Sequence, residues 1–216
     1  KNLHWTLISL VVFLSIIGMV MIYSASQEDG MSATYSQFFK LVLAIFVMFT
    51  VSVININTWQ KFSFVIYIFG LLLLIYATFY GYIGKGSRRW ISLLGINIQP
   101  SEIMKICLIL ALAKFFDEKK IQGLRDYIFL IFPLALIFIP FSIILNQPDL
   151  GTALTLLIVG TIIFFIVGLH VNFFISGLVL VLSISPFLWS SLHQYQKQRL
   201  LTFFDPYKDP LGTGYH

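Results

Sequence analysis

Apolar residues run through this chain in blocks of about twenty separated by short polar gaps, and at 1.5 Å per helical residue a block of that length spans the roughly 30 Å core of a bilayer. That ruler predicts seven transmembrane helices, over residues 3–24, 38–54, 62–80, 99–116, 127–145, 151–168 and 171–189. The last two form one apolar stretch too long for a single crossing, so a tight turn is expected near Gly168-Leu-His170-Val-Asn172. Pro133, Pro140 and Pro186 fall inside predicted spans. They are read as kinks, tolerated because neighbouring helices can satisfy the freed carbonyls. The first span closes on Tyr23-Ser-Ala-Ser26, which resembles a signal-peptide cleavage site. Its apolar run exceeds the roughly 7–15 residues of a signal core and more spans follow, so a retained helix is expected. The pattern thus predicts an all-α polytopic membrane protein forming one transmembrane domain over 1–216, with 190–216 as a polar segment outside the membrane.

Composition agrees with that class. The chain is 58% hydrophobic and 11% charged and contains 22 Phe, more apolar surface than a water-soluble core of 216 residues can enclose. Cys107 is the single cysteine, so no disulfide framework is expected. The formal net charge of +5 lies mostly in the gaps between apolar runs, which points to anionic lipid and away from nucleic acid. Charge does not set the orientation. With a cytoplasmic N-terminus, Lys1, Lys61, Lys114, Lys119, Lys120 and Arg125 would lie inside; Lys40, Lys85, Arg88, Arg89, Lys197, Arg199 and Lys208 would lie outside.

Candidate chemistry concentrates in a few places. Gly84-Lys-Gly-Ser-Arg88-Arg89-Trp90, between the third and fourth spans, offers flexible backbone, two guanidinium forks suited to phosphate oxygens and an interfacial Trp. Headgroup anchoring and a specific phosphate site explain it equally well. Glu102 and Lys105 share a helix face at membrane depth. They read either as an ion pair holding the bundle or as the wall of a polar cavity. Asp149 opens the sixth span as an N-cap candidate, and Gln99-Pro-Ser-Glu102 is echoed by Gln147-Pro-Asp-Leu150. His4, His170, His193 and His216 show no ligand spacing, so no metal site of histidines is expected. The terminal segment holds Asp205-Pro and Asp209-Pro, with turns forced around them, followed by Gly212 and Gly214. It lies on the same side of the membrane as the arginine loop, and either aspartate could serve in an active site.

Taken in order, Tyr23-Ser-Ala-Ser26, Gly86-Ser-Arg-Arg-Trp-Ile91, Gln99-Pro-Ser-Glu-Ile-Met-Lys105, Gln147-Pro-Asp-Leu-Gly-Thr152 and Gln198 to His216 closely resemble the SEDS family (shape, elongation, division and sporulation). The Asp-Pro-Leu-Gly-x-Gly-Tyr-His ending is more similar to the rod-shape members than to the division members. The resemblance implies a bacterial inner-membrane glycosyltransferase that polymerises lipid II into peptidoglycan, partnered by a class B penicillin-binding protein, with the N-terminus cytoplasmic and residues 190–216 periplasmic. A flippase for lipid II and a non-catalytic scaffold are the alternatives. The family's essential aspartate matches Asp209, which the chemistry would use as general base on the acceptor hydroxyl. Arg88, Arg89, Trp90, Glu102, Lys105 and Asp149 are carried over as substrate-side residues. Arg88, Arg89 or a divalent cation, Mg or Mn, would offset the departing pyrophosphate, and no other cofactor is implied. Family members have about ten helices, so the resemblance also implies that this chain is the N-terminal part of the fold.

Overall fold

The computed structural model describes residues 4–26, 32–84, 87–93, 96–118, 127–147, 149–191, 197 and 201. Seven helices follow in order: α1 (Trp5–Ala25), α2 (Ser32–Val53), α3 (Ile56–Tyr80), α4 (Pro100–Glu118), α5 (Ile131–Asn146), α6 (Leu150–Ile166) and α7 (Val171–Ser191). Each corresponds to one predicted span. The starts of α2 and α3 lie six residues before the apolar pattern places them, because the helices run on through polar residues to better starting points. At α3 that point is Asn55, whose side chain accepts from the Asn57 N–H at 3.3 Å. Three of the helices, α1, α3 and Thr34–Val53 of α2, are long and apolar enough to cross a membrane; α5, α6 and Val171–Phe187 of α7 are shorter apolar helices.

The prolines act less uniformly than expected. Pro133 sits in the first turn of α5, where the missing N–H has no intrahelical partner to lose, just after one 3-10 turn over Tyr127–Leu130. Pro140 and Pro186 do lie inside α5 and α7, and both helices continue past them. The turn between α6 and α7 is where it was expected. Gly168 has φ +89°, the left-handed region, its N–H donates to Phe165 O at 3.0 Å, and Leu169 N–H donates to Phe164 O at 3.3 Å. Those two bonds satisfy the helix-terminal carbonyls, and Phe164 and Leu169 are both buried in the core at that point.

Between α3 and α4 the chain forms a small antiparallel sheet that the apolar ruler does not detect: β1 (Tyr82–Gly84), β2 (Ser87–Leu93) and β3 (Ile96–Ile98), in that spatial order. Ile91 pairs with Ile98 and Leu93 with Ile96. The sheet begins tightly against the end of α3. A Cβ on Gly81 would stand 2.3 Å from the Ala77 carbonyl oxygen and 3.1 Å from that of Trp90, so only glycine fits.

The core belongs to α3, α4, α5 and α6. Leu74, Met104, Leu108, Leu112, Ile144 and Leu156 are fully enclosed there, with α4 in the middle, packed against α3, α5 and α6. Helices α1 and α2 pack on each other, and among the described residues α1, α2 and α7 bury no side chain inside their helices.

Candidate functional site

The site is assembled where the sheet meets the starts of α4 and α6. In the β1–β2 ladder Ile83 pairs with Arg88 and Tyr82 with Trp90, so two steps along β2 correspond to one along β1. Arg89 is the extra residue, the bulge. A bulge breaks the alternation of side chains and re-aims one of them. Here Arg89 reaches α6: its Nη1 lies 2.9 Å from Asp149 Oδ2, and the two side chains are only 15% and 8% exposed.

Asp149 is more than a helix cap. Its Oδ1 accepts the Thr152 N–H at 3.4 Å, which is the cap expected from its position before α6. Its Oδ2 takes Arg89 and also the Gln99 side-chain amide at 3.1 Å. Gln99 immediately precedes Pro100, the first residue of α4, so one carboxylate joins β2, α4 and α6. Among the described residues, Arg89 Nε and Ser101 Oγ of α4 are buried without a hydrogen-bond partner.

Arg88 differs from Arg89. It is exposed, and its Nη1 donates to the Phe79 carbonyl at 3.5 Å, the far limit of a hydrogen bond. Trp90 is half-buried opposite Tyr82. Further along α4, Lys105 Nζ and Glu102 Oε2 pair at 2.8 Å, the lysine largely covered and the glutamate 55% exposed. Among the described residues this pair shares no bond with the Arg89–Asp149 group, so the two do not form one network. With both pairs neutralised, Arg88 carries the uncompensated positive charge of the described loop.

The second Gln-Pro pair is bonded in a parallel way. The Gln147 amide donates to Thr78 Oγ1 at 2.7 Å and to Leu74 O at 3.1 Å, tying the α5–α6 link to α3. Neither Gln99 nor Gln147 was singled out as a site residue from sequence. The signal was present, since each is an amide at a membrane-edge helix boundary, but nothing in the sequence supplies its partner. At the opposite end of the bundle the Gln60 side chain donates to Asp117 and Lys114 pairs with Glu118 at 2.8 Å.

Asp205 and Asp209 lie outside the described residues, as do Arg199 and, apart from Lys197 and Leu201, the rest of the segment that follows α7. Helix α6 starts at the sheet end, and the turn at Gly168 joins it to α7. Among the described residues no group of three or more His, Cys, Asp or Glu converges to hold a metal ion. The buried carboxylate of Asp149 already has each oxygen engaged.

The family model for FtsW, RodA and SpoVE, described as "Cell cycle protein", matches residues 4–216. Over 223 residues the chain is 32% identical to the peptidoglycan glycosyltransferase MrdB of Escherichia coli, covering all of this chain and 58% of MrdB. It is 31% identical over 221 residues to the stage V sporulation protein E of Bacillus subtilis, covering 97% of this chain and 59% of that protein. Among solved structures, it resembles a chain from work described as "Structural coordination of polymerization and crosslinking by a peptidoglycan synthase complex" at TM-score 0.82 and 30% identity, covering 98% of this chain and 62% of that one. It resembles the rod shape determining protein RodA of Thermus thermophilus at TM-score 0.70 and 28% identity, covering 83% and 58%. The chain therefore spans about three-fifths of the length of the relatives it matches.

Proposed function

The chain belongs to the FtsW, RodA and SpoVE family of cell cycle proteins, and on that footing we propose that the protein is a multi-pass inner-membrane glycosyltransferase that polymerises lipid II into peptidoglycan strands during cell elongation. The observation that carries this reading is the docking of the arginine-bearing strand β2 on the starts of α4 and α6 through Arg89, Gln99 and Asp149. It gathers cationic and polar groups at one edge of the bundle, the depth at which a lipid-linked pyrophosphate presents its headgroup, and the count of seven spans in the sequence puts the segment that carries Asp209 on that same side. The names of MrdB and of the FtsW relative from Geobacter, 33% identical over 215 residues, support the reaction class. The orientation proposed is N-terminus in the cytoplasm and residues 190–216 in the periplasm.

In the reaction a sugar hydroxyl of one lipid II attacks the anomeric carbon of another. The new glycosidic C–O bond forms as the C–O bond to pyrophosphate breaks, and undecaprenyl pyrophosphate departs. Asp209 accepts the hydroxyl proton as general base, and guanidinium charge in the 81–98 loop offsets the leaving group. Glu102 and Lys105 line the substrate side of α4, and Trp90 anchors the loop at the interface. A divalent cation, Mg or Mn, would add positive charge at the pyrophosphate. Among the described residues no group of three or more His, Cys, Asp or Glu converges to hold one. A class B penicillin-binding protein is proposed as the partner that crosslinks the product, supported by the likeness to a chain from a complex that coordinates polymerization and crosslinking.

The test is polymerisation of purified lipid II by the protein with its partner, wild type against Asp209→Asn. A loss of about 10²–10⁴-fold is expected for removal of a general base. A folded, partner-bound Asp209→Asn protein that polymerises at the normal rate removes Asp209 from this role. One that moves labelled lipid II across the bilayer while wild type makes no polymer would make the protein a transporter.

A further inference from the structure

The bulge in β2 divides its two arginines. We infer that Arg89 is a positioning residue and not an anion ligand: with Asp149 and Gln99 it forms a clasp that fixes β2 across the starts of α4 and α6, and the clasp sets where Arg88 presents its guanidinium to the phosphate-bearing headgroup. The identity of the headgroup rests on the proposed function; the clasp rests on geometry alone.

Three features separate the two side chains. The first is register: the residue at the bulge is turned away from the β1 ladder towards α6, whereas Arg88, paired with Ile83, stays on the surface. The second is saturation. Asp149 Oδ2 holds Arg89 at 2.9 Å and Gln99 at 3.1 Å while Oδ1 caps α6, so both oxygens are engaged and Oδ2 is shared by the two groups that meet it. Withdrawing Arg89 to bind phosphate would leave that carboxylate, 8% exposed, without its counter-charge, and an approaching phosphate would meet the anion of Asp149 beside the guanidinium it sought. The third is availability. Arg88 is exposed and, among the described residues, bound only at 3.5 Å to a neutral carbonyl, leaving its fork open for bidentate contact with phosphate oxygens.

The two roles predict opposite signs for one substitution. If Arg89 is the ligand, Asp149→Asn frees a guanidinium and removes a repelling charge, so lipid II binds more tightly. If Arg89 is the clasp, Asp149→Asn weakens lipid II binding as Arg89→Ala does, because in both cases β2 is released. The experiment uses the protein in nanodiscs, with lipid II affinity and amide hydrogen exchange over residues 87–93 measured on each variant. Arg88→Ala is expected to weaken lipid II about tenfold or more, the size of a lost charge-assisted bond, with β2 exchange unchanged. Arg89→Ala and Asp149→Asn are each expected to weaken lipid II and speed β2 exchange about tenfold or more, with the double variant no worse than either alone. Gln99→Leu, which keeps the ion pair, is expected to do the same a few-fold, and it stands in if Asp149→Asn does not fold. Arg89→Lys, which retains the pair with Asp149, recovers part of both losses. Tighter binding in Asp149→Asn, or weaker binding in Arg89→Ala with β2 exchange unchanged, overturns the inference. If the exchange pattern appears but lipid II binds none of the proteins, wild type included, the clasp stands and the substrate reading falls. If Arg88→Ala leaves lipid II affinity unchanged while Asp209→Asn abolishes polymerisation, the role of Arg88 falls and the polymerase reading stands.

Discussion

Helix α1 is more apolar than α3, and both are long enough to span a bilayer, yet α1 buries none of its side chains while α3 encloses Ser63, Tyr67, Gly70, Leu74 and Ala77. The contrast extends to their neighbourhoods, the α1–α2 hairpin on one side and the α3–α6 bundle on the other. In the hairpin, polar side chains turn back on their own helices. Ser9 donates to Thr6 O, Ser15 to Val11 O, Thr50 to Phe46 O and Ser52 to Phe49 O. Among the described residues its polar link between helices is one contact at the tip, Ser26 with Thr34 at 2.8 Å. In the bundle, polar side chains cross between elements: Tyr67 to the Leu136 carbonyl at 2.8 Å, Gln147 to α3, Gln60 to Asp117, and Arg89 and Gln99 to Asp149. Small residues let the backbones close. A Cβ on Gly70 would come within 2.8 Å of Cys107 Sγ, and one on Gly160 within 2.5 Å of Ile137 Cδ1. The difference follows from the solvent. Lipid tails are as apolar as leucine, so apolar content alone gives helices no reason to associate, and close approach and hydrogen bonds across the contact do.

The sharpest way to break this comparison is to remove packing where the bundle is tightest. Leu108 lies fully enclosed in the middle of α4. Leu108→Ala leaves a void that its neighbours fill only in part, and is expected to destabilise the protein by about 2–3 kcal/mol. Reversible unfolding in mixed micelles with increasing denaturing detergent would measure it. A change below about 0.5 kcal/mol would mean that the bundle is no better packed than the hairpin.

A smaller effect is expected from the polar crossings. Gln147→Leu keeps the side-chain bulk and removes two hydrogen bonds to α3, but Leu74 O retains its bond from Thr78 Oγ1 at 3.0 Å. No carbonyl is orphaned, so the expected cost is about 1 kcal/mol by the same unfolding measurement. A cost near that of Leu108→Ala would place the polar crossings, and not the packing, at the centre of the bundle's stability.

The same contrast explains what could be read from the sequence. The seven helices were legible because hydrophobic length responds to the bilayer, a property of each segment by itself, and the turn at Gly168 was legible because forty apolar residues cannot cross once. Asp149 as a cap and Glu102 with Lys105 as a pair were legible because both are local, within three residues. The bulge at Arg89 was not, since it exists only in the register of β1 against β2, and strands of three and seven residues leave no mark on a twenty-residue ruler. The isoleucines at 91, 96 and 98 were the available hint, β-branched residues on either side of a Leu-Gly pair in the sequence. The clasp was hidden for a further reason: Arg89, Gln99 and Asp149 are up to sixty residues apart, and a sequence does not say which of several polar residues at one membrane edge will meet. The choice of Asp209 over Asp205 came only from the resemblance of its surroundings to a family, and both lie outside the described residues.

The smallest expected effect tests the other half of the comparison. Phe13 is 60% exposed on α1, on the side away from the groove that Val11, Leu14, Ser15, Gly18 and Met19 form with Gln37 and Leu41 of α2. In a soluble core, Phe→Ala costs about 3–5 kcal/mol. At this position the phenyl ring meets lipid in the folded state and lipid or detergent in the unfolded one, so its transfer term cancels, and alanine adds a slightly better helix former. Phe13→Ala is therefore expected to change unfolding stability by less than about 0.5 kcal/mol. A loss comparable to Leu108→Ala would show that this face is covered in the working protein, by further helices of the fold or by a partner's membrane segment. The hairpin would then be a second interface whose other half lies outside the described residues, and its apolar face would owe its composition to that contact and not to lipid.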